Sequence, residues 1–363
     1  MDRKELIRRL QYEKPATPFR TGFEYHNALF TVAAELIPIL TGKNWASFVE
    51  ERILNPLGMN STLITADGVE DQENIATPHV LTTNGMESFV RRSDESDPIP
   101  EAGSILSNAI DMARWCQFQL QDERLGDNLP VKGQTLAQMR TQYALGTFSW
   151  FGRWGYGDIR AGYGLGWMLF DYRGDEDQLV AHGGSVDGIQ SWMVLSPRNK
   201  YCIVMMSNGD WSGDPAHFAI ANWIQDRYLG LDERDWISDL LTSDRDAMVE
   251  QVQNRASKKG KNTSIASSQP VADYTGEYAN PSYGKLIVEL QDERLKIQLG
   301  VYGTVAEHWR GEMFYLDWAQ PGDSNAFITF DVSPAGEVTG VSLDWGGEEF
   351  EFTRVREAAQ IAE

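Results

Sequence analysis

Cysteine, basic side chains and long apolar runs are all scarce in this chain, and each scarcity removes a class of protein. Only two cysteines occur in 363 residues, Cys116 and Cys202. Both lie in apolar segments (Arg-Trp-Cys-Gln-Phe and Tyr-Cys-Ile-Val-Met), so they read as two separate buried thiols, with neither a disulfide framework nor a cysteine metal site. The five histidines, His26, His79, His182, His217 and His308, show no paired metal-ligand spacing. No metal or organic cofactor is expected. Lys and Arg number 32 against 53 Asp and Glu, a net charge of -21. Such a field repels phosphate backbones and anionic lipid surfaces, which excludes a nucleic-acid partner and docking on a charged membrane. No segment approaches the roughly 20 apolar residues that span a bilayer, so no membrane insertion is expected. The first ten residues are charged and have no apolar core of a secretory signal. A cytoplasmic location follows if Met1 is the true start.

What is present is enough for a sizeable core, with 42% hydrophobic residues and room for about two or three domains. Leu29, Val32, Ala33, Leu36, Ile37 and Leu40 recur at steps of three and four and predict one buried helical face over 28–41. Pro38 should kink that helix and Gly42 stop it. A second helix follows, capped by Asn44, with Trp45, Phe48, Val49 and Ile53 inward and Asn55-Pro56 at its end. A third begins near Asn108 with Met112, Trp115 and Cys116 as its apolar face. Past residue 145 aromatics and glycines interleave (Phe148, Trp150, Phe151, Trp154, Tyr156, Tyr163, Trp167), lining a pocket or simply packing a core. Strand-like runs follow at 163–170, 178–182, 189–196 and 201–207, the last two forming a hairpin around Pro197 to Lys200. Both hairpin arms are nearly continuously apolar, which predicts the middle of a sheet covered on both faces. A helix over 215–229 should bury Ala216, Ile220, Trp223 and Ile224. Residues 257–270 have linker composition, and beyond them short alternating runs predict an antiparallel meander or small barrel.

Phe23-Glu-Tyr25-His-Asn27, Leu40-Thr-Gly-Lys-Asn-Trp45, Ile53-Leu-Asn-Pro-Leu-Gly-Met59, Ala102-Gly103-Ser104, Asp111-Met-Ala-Arg-Trp115, Tyr163-Gly-Leu-Gly-Trp167 and His182-Gly-Gly184 stand in one order along the chain. That series resembles the class C β-lactamases and the penicillin-binding-protein-like serine hydrolases related to them, among them peptidases, esterases and acyltransferases. The resemblance covers roughly residues 1–230, and residues 270–356 resemble the small β domain that often follows. It implies a mixed α/β (α+β) fold: a transpeptidase-like antiparallel sheet with a helical region, incomplete at the N-terminus, plus a C-terminal antiparallel barrel-like domain. The implied division is 1–235 partial catalytic domain, 236–269 helix and linker, and 270–356 β domain.

The implied chemistry is attack on an amide or ester carbonyl through an acyl-enzyme, on a small-molecule or short-peptide substrate. Acyl transfer by a serine needs a base for the hydroxyl proton. By resemblance Tyr25 is the proton shuttle and Asn27 orients the substrate amide. A phenol ordinarily titrates near 10, so neighbouring positive charge must lower it before it can serve. His182, Gly183, Gly184 and Ser185 match the strand lining the site, glycines admitting the substrate backbone and the Ser185 N–H supplying half of an oxyanion hole. A histidine there carries less positive charge at neutral pH than the family's lysine and would hold a substrate carboxylate less firmly. The residue-level alternatives stay open: Tyr25 as an aromatic packing ahead of a helix, Asn27 as a simple cap, and 182–185 as a strand-end turn with a surface histidine.

One departure outweighs the rest. The family's Ser-x-x-Lys lies well upstream of Tyr-x-Asn, yet the 24 residues before Tyr25 contain no serine. The only Ser-x-x-Lys in the chain is Ser282-Tyr-Gly-Lys285, in the C-terminal β segment, and no Gly-x-Ser-x-Gly elbow exists. The chain by itself is therefore expected to be inactive, as a piece of an active enzyme. The alternatives are a non-catalytic relative that binds or scaffolds, and a subunit completed by another chain or an oligomer. In the family the missing strands share a sheet with the late ones, so 163–207 should expose an edge and an apolar face.

Overall fold

A computed structural model describes residues 3–65, 68–69, 72–82, 85–88, 99–121, 130–145, 156–174, 176–186, 188–209, 214–240, 265–318 and 326–356. The aromatic residues Phe148, Trp150, Phe151 and Trp154, the side chain of Tyr156 and linker residues 257–264 lie outside the described set.

The first half is built on a six-stranded antiparallel meander, β3 (Ala144–Leu145), β4 (Tyr156–Tyr163), β5 (Met168–Tyr172), β6 (Asp177–Val186), β7 (Ile189–Ser196) and β8 (Tyr201–Ser207), paired in chain order. A short hairpin, β1 (His79–Thr82) and β2 (Gly85–Ser88), forms a separate sheet that meets the turn after β6, His79 N–H donating to the Gly188 carbonyl at 3.3 Å. The run 163–170 is not one strand. Gly164 to Trp167 turns tightly between β4 and β5, with Gly164 N–H on the Trp167 carbonyl at 2.7 Å and Gly166 at φ 81°.

Alternation along the strands sends side chains to opposite faces. Phe170, Tyr172, Leu179, Ala181, Trp192, Val194 and Ile203 pack with Phe218, Ala219 and Ala221 of the long helix Asp214–Leu229. Val180, Met193, Leu195 and Cys202 pack on the other side with Met112, Trp115 and Cys116 of α6 (Ala109–Gln119). Covering on both faces accounts for the apolar hairpin arms. β8, however, is the sheet's edge rather than its middle among the described strands.

The two cysteines are joined, not separate. Cys116 on α6 bonds Cys202 on β8 across 86 residues, with Cα atoms 5.8 Å apart. Apolar surroundings announce burial of each thiol, but only the stacking of α6 on β8 makes them partners. Replacing both with serine should lower the unfolding free energy by about 2–4 kcal/mol, read from urea midpoints. Unreduced, denatured protein should show no titratable thiol; two reactive thiols would overturn the linkage.

Among the described residues the helical segments ahead of the hairpin include α1 (Arg3–Arg9), a 3₁₀ turn (Leu10–Tyr12), α2 (Asn27–Ala34), α3 (Leu36–Thr41), α4 (Trp45–Val49), a π-helical turn (Glu50–Leu54) and α5 (Asn55–Leu57). The first break falls after Ala34, the residue whose carbonyl would need an N–H from Pro38. Gly42 ends α3 in the left-handed region at φ 72°. Asn44 caps α4 by accepting from Ser47 N–H at 2.8 Å, and Asn108 caps α6 by accepting from Ile110 and Asp111. Asn55-Pro56 does not end its helix. Past the π turn, Pro56 lies in the first turn of α5, where a missing N–H costs nothing, and Gly58 stops the chain instead.

Two expected inward faces point outward. Leu29, Leu36 and Leu40 are 55%, 54% and 79% exposed, while Thr31 and Ala34 face in. Thr31 is drawn in by Glu101, to which its hydroxyl donates at 3.2 Å. On the long helix Ile220 and Trp223 are 42% and 46% exposed, and Asn222, Gln225 and Asp226 are buried. The sheet beneath offers the hydroxyls of Tyr172 and Tyr201 and the carboxylate of Asp177, which require polar partners when buried.

The C-terminal sheet has nine antiparallel strands: β9 (Gly276–Asn280), β10 (Gly284–Gln291), β11 (Arg294–Leu299), β12 (Tyr302–Val305), β13 (Glu307–Arg310), β14 (Met313–Leu316), β15 (Ala326–Val332), β16 (Val338–Trp345) and β17 (Glu348–Arg354). Its two edges, β12 and β13, are joined by the single residue Ala306. A sheet whose edges are one residue apart must curl on itself, and the result is a nearly closed barrel. Its interior holds Tyr278, Leu286, Ile297, Phe314, Ile328, Phe330, Val341 and Phe352. Ser282 lies in the turn before β10, and Lys285 pairs with Glu277 at 2.7 Å. The pair has none of the helical geometry that would put a serine and a lysine on one face.

Candidate functional site

β5 pairs with β6 only as far as Ala181. Among the described residues nothing pairs with the same edge of β6 from His182 to Val186, which leaves a strand end with open backbone groups. The segment leading into α2 lies against this end. Phe23 packs on Tyr163 with ring centroids 4.8 Å apart. Two residues on, the Tyr25 ring stands 6.2 Å from that of Tyr163 and 6.0 Å from that of His182. The tyrosine and the glycine-bearing end of β6 thus lie side by side.

Each remaining residue has a definite place. Asn27 is the first residue of α2 and is exposed; His26 holds the cap position, without a side-chain cap bond, so Asn27 is not the cap. Gly183 and Gly184 are tight against β7: a Cβ at 183 would lie 3.0 Å from the Trp192 ring, and one at 184 would lie 2.9 Å from Ser191 Oγ. Their smallness is needed by the sheet itself, whatever else they admit. Ser185 is exposed, its hydroxyl accepting from Gln190 Nε2 at 3.5 Å. The 3₁₀ turn Pro100–Ala102 lies beside α2, its Glu101 salt-bridged to Arg3 at 2.6 Å, and Gly103 follows it close to the end of β6, where a Cβ would meet Val186 at 3.3 Å.

The electrostatics are those of a neutral site. Burial pushes the Tyr25 phenol above its ordinary value, with no described cation pulling it down. Burial raises Tyr163 further, and the neighbouring Tyr25 adds to this. Burial lowers His182, partly opposed by its bond to the Gly183 carbonyl. Among the described residues no group of three His, Cys, Asp or Glu side chains is disposed to hold a metal ion, and no helix is long and apolar enough to cross a membrane.

Sequence reasoning missed Tyr163 as a member of the site. It stood in the Tyr163-Gly-Leu-Gly-Trp167 motif, but nothing local shows that the turn after it folds the phenol back to within 3.1 Å of His182 Nε2.

The Beta-lactamase family model matches residues 1–225, and a model for a domain of unknown function (DUF3471) matches residues 260–358. Among curated proteins, an unguisins hydrolase of Aspergillus campestris is 26% identical over 298 residues, covering 80% of this chain and 54% of that protein. A second, from Aspergillus violaceofuscus, is 25% identical, covering 94% of this chain and 64% of that protein. The chain therefore spans between about half and two-thirds of the length of these relatives. Among solved structures, an octameric penicillin-binding protein homologue from Pyrococcus abyssi is 16% identical with a TM-score of 0.48, covering 93% of this chain and 66% of that one.

Proposed function

Since this chain belongs to the Beta-lactamase family of hydrolases, we propose that it contributes one wall of an acyl-transfer site acting on an amide or ester carbonyl in a small molecule or short peptide. In this reading Tyr25 moves the proton, Asn27 orients the substrate amide, and the substrate lies along His182, Gly183 and Gly184. The Ser185 N–H is half of the oxyanion hole. The observation that carries the proposal is the 6.0 Å approach of the Tyr25 and His182 rings beside the unpaired end of β6.

The nucleophile comes from polypeptide outside these 363 residues. Supporting this, no serine precedes Tyr25, and Ser282 and Lys285 sit in a barrel turn with the lysine engaged by Glu277. To act as a base the Tyr25 phenol requires a nearby positive charge, which the lysine of a Ser-x-x-Lys helix would bring. The outward stripe of α2 and α3 and the free side of β8 are where such a segment would pack. The barrel core supports a separate β unit over 270–356, whereas Trp236 and Leu240 are buried in the core of the six-stranded sheet, so the catalytic-type unit drawn at 1–235 extends at least to 240.

The second reading, a binding or scaffold relative without catalysis, is favoured by the same missing motif. A fluorophosphonate followed by intact-mass measurement separates the two. The chain alone should gain no adduct, and the chain extended by its upstream reading frame should gain one, on a serine of Ser-x-x-Lys. Labelling of the unextended chain would overturn the placement of the nucleophile. An extended chain that stays unlabelled yet binds acyl ligands would establish the second reading.

A further inference from the structure

We propose that Tyr163 is a positioning residue: it holds His182 in one neutral tautomer with both ring nitrogens engaged, so that the strand end selects acyl substrates uncharged where they meet it. The specificity half rests on the acyl-transfer reading above; the proton order does not.

The proton order follows from the two partners of the imidazole. His182 Nδ1 lies 2.7 Å from the carbonyl oxygen of Gly183. A carbonyl only accepts, so Nδ1 carries the proton. A neutral imidazole has one N–H, and Nε2 is then a bare lone pair. Its partner at 3.1 Å is the Tyr163 hydroxyl, which must donate. The relay runs one way, from Tyr163 O–H to Nε2 and from Nδ1–H to Gly183.

The phenol has little freedom to leave this position. Tyr163 is buried, its ring is packed by Phe23, and its carbonyl accepts from Tyr143 N–H at 3.0 Å. The turn that follows is closed by the Gly164 to Trp167 bond. Protonating His182 would put an Nε2–H against the phenol oxygen and force the hydroxyl to find another acceptor. No carboxylate among the described residues forms an ion pair with the ring to favour that change, and the titratable side chains whose rings meet it are Tyr25 and Tyr163. Burial acts in the same direction.

With both nitrogens engaged and no charge on the ring, the strand end offers no cation among the described residues and no spare imidazole N–H. A carboxylate placed there meets backbone N–H groups but no counter-charge, so its desolvation is only partly offset. An ester, a carboxamide or a peptide joined onward through another amide carries no such penalty. The selected class is therefore acyl compounds lacking a free carboxylate next to the bond that meets β6.

Nitrogen-15 NMR of histidine-labelled full-length chain tests the proton order without relying on turnover, His182 signals being assigned by their loss in His182→Gln. At pH 7 the wild type should show a neutral ring protonated on Nδ1. An imidazolium or an Nε2–H tautomer would overturn the proposal, and this measurement needs no Tyr163 variant. In Tyr163→Phe, with unchanged circular dichroism, the second tautomer should appear; an identical spectrum would remove Tyr163 from its role. For specificity, an N-acetyl dipeptide amide and its free acid are titrated against the chain. The amide should bind about tenfold tighter, and the ratio should shrink in Tyr163→Phe. Equal binding or preference for the acid overturns the selectivity alone. Failure of both to bind, with the tautomer as described, overturns the acyl-transfer reading and the selectivity with it, and leaves the proton order standing.

Discussion

Asp226→Ala is expected to destabilise the fold by about 3–5 kcal/mol, a large effect for the loss of one polar side chain. Asp226 is 3% exposed and collects three donors from three places. Its Oδ1 accepts from the Tyr172 hydroxyl of β5 at 2.7 Å, and its Oδ2 accepts from Trp236 Nε1 at 2.7 Å and pairs with Arg173 at 3.0 Å. One carboxylate thus ties the long helix to the sheet, to the turn after β5 and to the helical turn at 236–240. Alanine leaves the buried indole of Trp236 without its acceptor, strips the Tyr172 hydroxyl of its shorter bond so that only the Asn222 carbonyl at 3.1 Å remains, and leaves the half-buried Arg173 with the Asp232 carbonyl in place of a counter-charge. Asp226→Asn keeps the shape and one oxygen and should cost about 1–3 kcal/mol. Urea unfolding by tryptophan fluorescence measures both, with the midpoint falling and the slope unchanged. A loss below about 1 kcal/mol for alanine would mean that water or a shifted side chain replaces the carboxylate, and that the network is not what seats the helix.

The second large effect concerns chemistry. In the form of the protein that carries the nucleophile, Tyr25→Phe should lower kcat by about 10²–10⁴ while KM changes little. The substitution removes one oxygen. The ring contacts with Tyr163 and His182 survive it, and the side chain is 47% exposed, so the fold has little reason to respond. A purely structural aromatic at 25 would leave turnover unchanged, because phenylalanine keeps the ring that packs. Steady-state kinetics on a chromogenic ester, beside a thermal melt of the same preparation, distinguishes the two. Turnover within twofold of the wild type would take Tyr25 out of the mechanism.

The fold class, mixed α/β with a C-terminal barrel-like sheet, was legible because periodicity changes sharply past residue 270, from helical spacing to short alternating runs. Helix ends were legible where a single residue decides them: Asn44 and Asn108 cap, Gly42 stops, and Pro38 breaks the helix four residues earlier. The direction of helix faces was not. An apolar stripe on α2 and α3 reads as an inward face, yet Leu29, Leu36 and Leu40 are open while Thr31 and Ala34 turn in. Periodicity shows that a helix has two unlike faces; it carries no information on which of them has a neighbour.

By itself the amino-acid sequence determined what depends on near neighbours: the elements, most of their ends, the acidic surface, and the ordered motifs that mark the family. Tertiary structure alone decided the joining of Cys116 to Cys202, the meeting of Tyr25 with His182, the bond between Tyr163 and the same histidine, and the polar inner face of the long helix. The physical reason is range. Caps and turns form between atoms a few residues apart, whose geometry the local chain dictates, whereas these contacts join segments 19 to 157 residues apart, and sheet order and helix stacking set which of them meet.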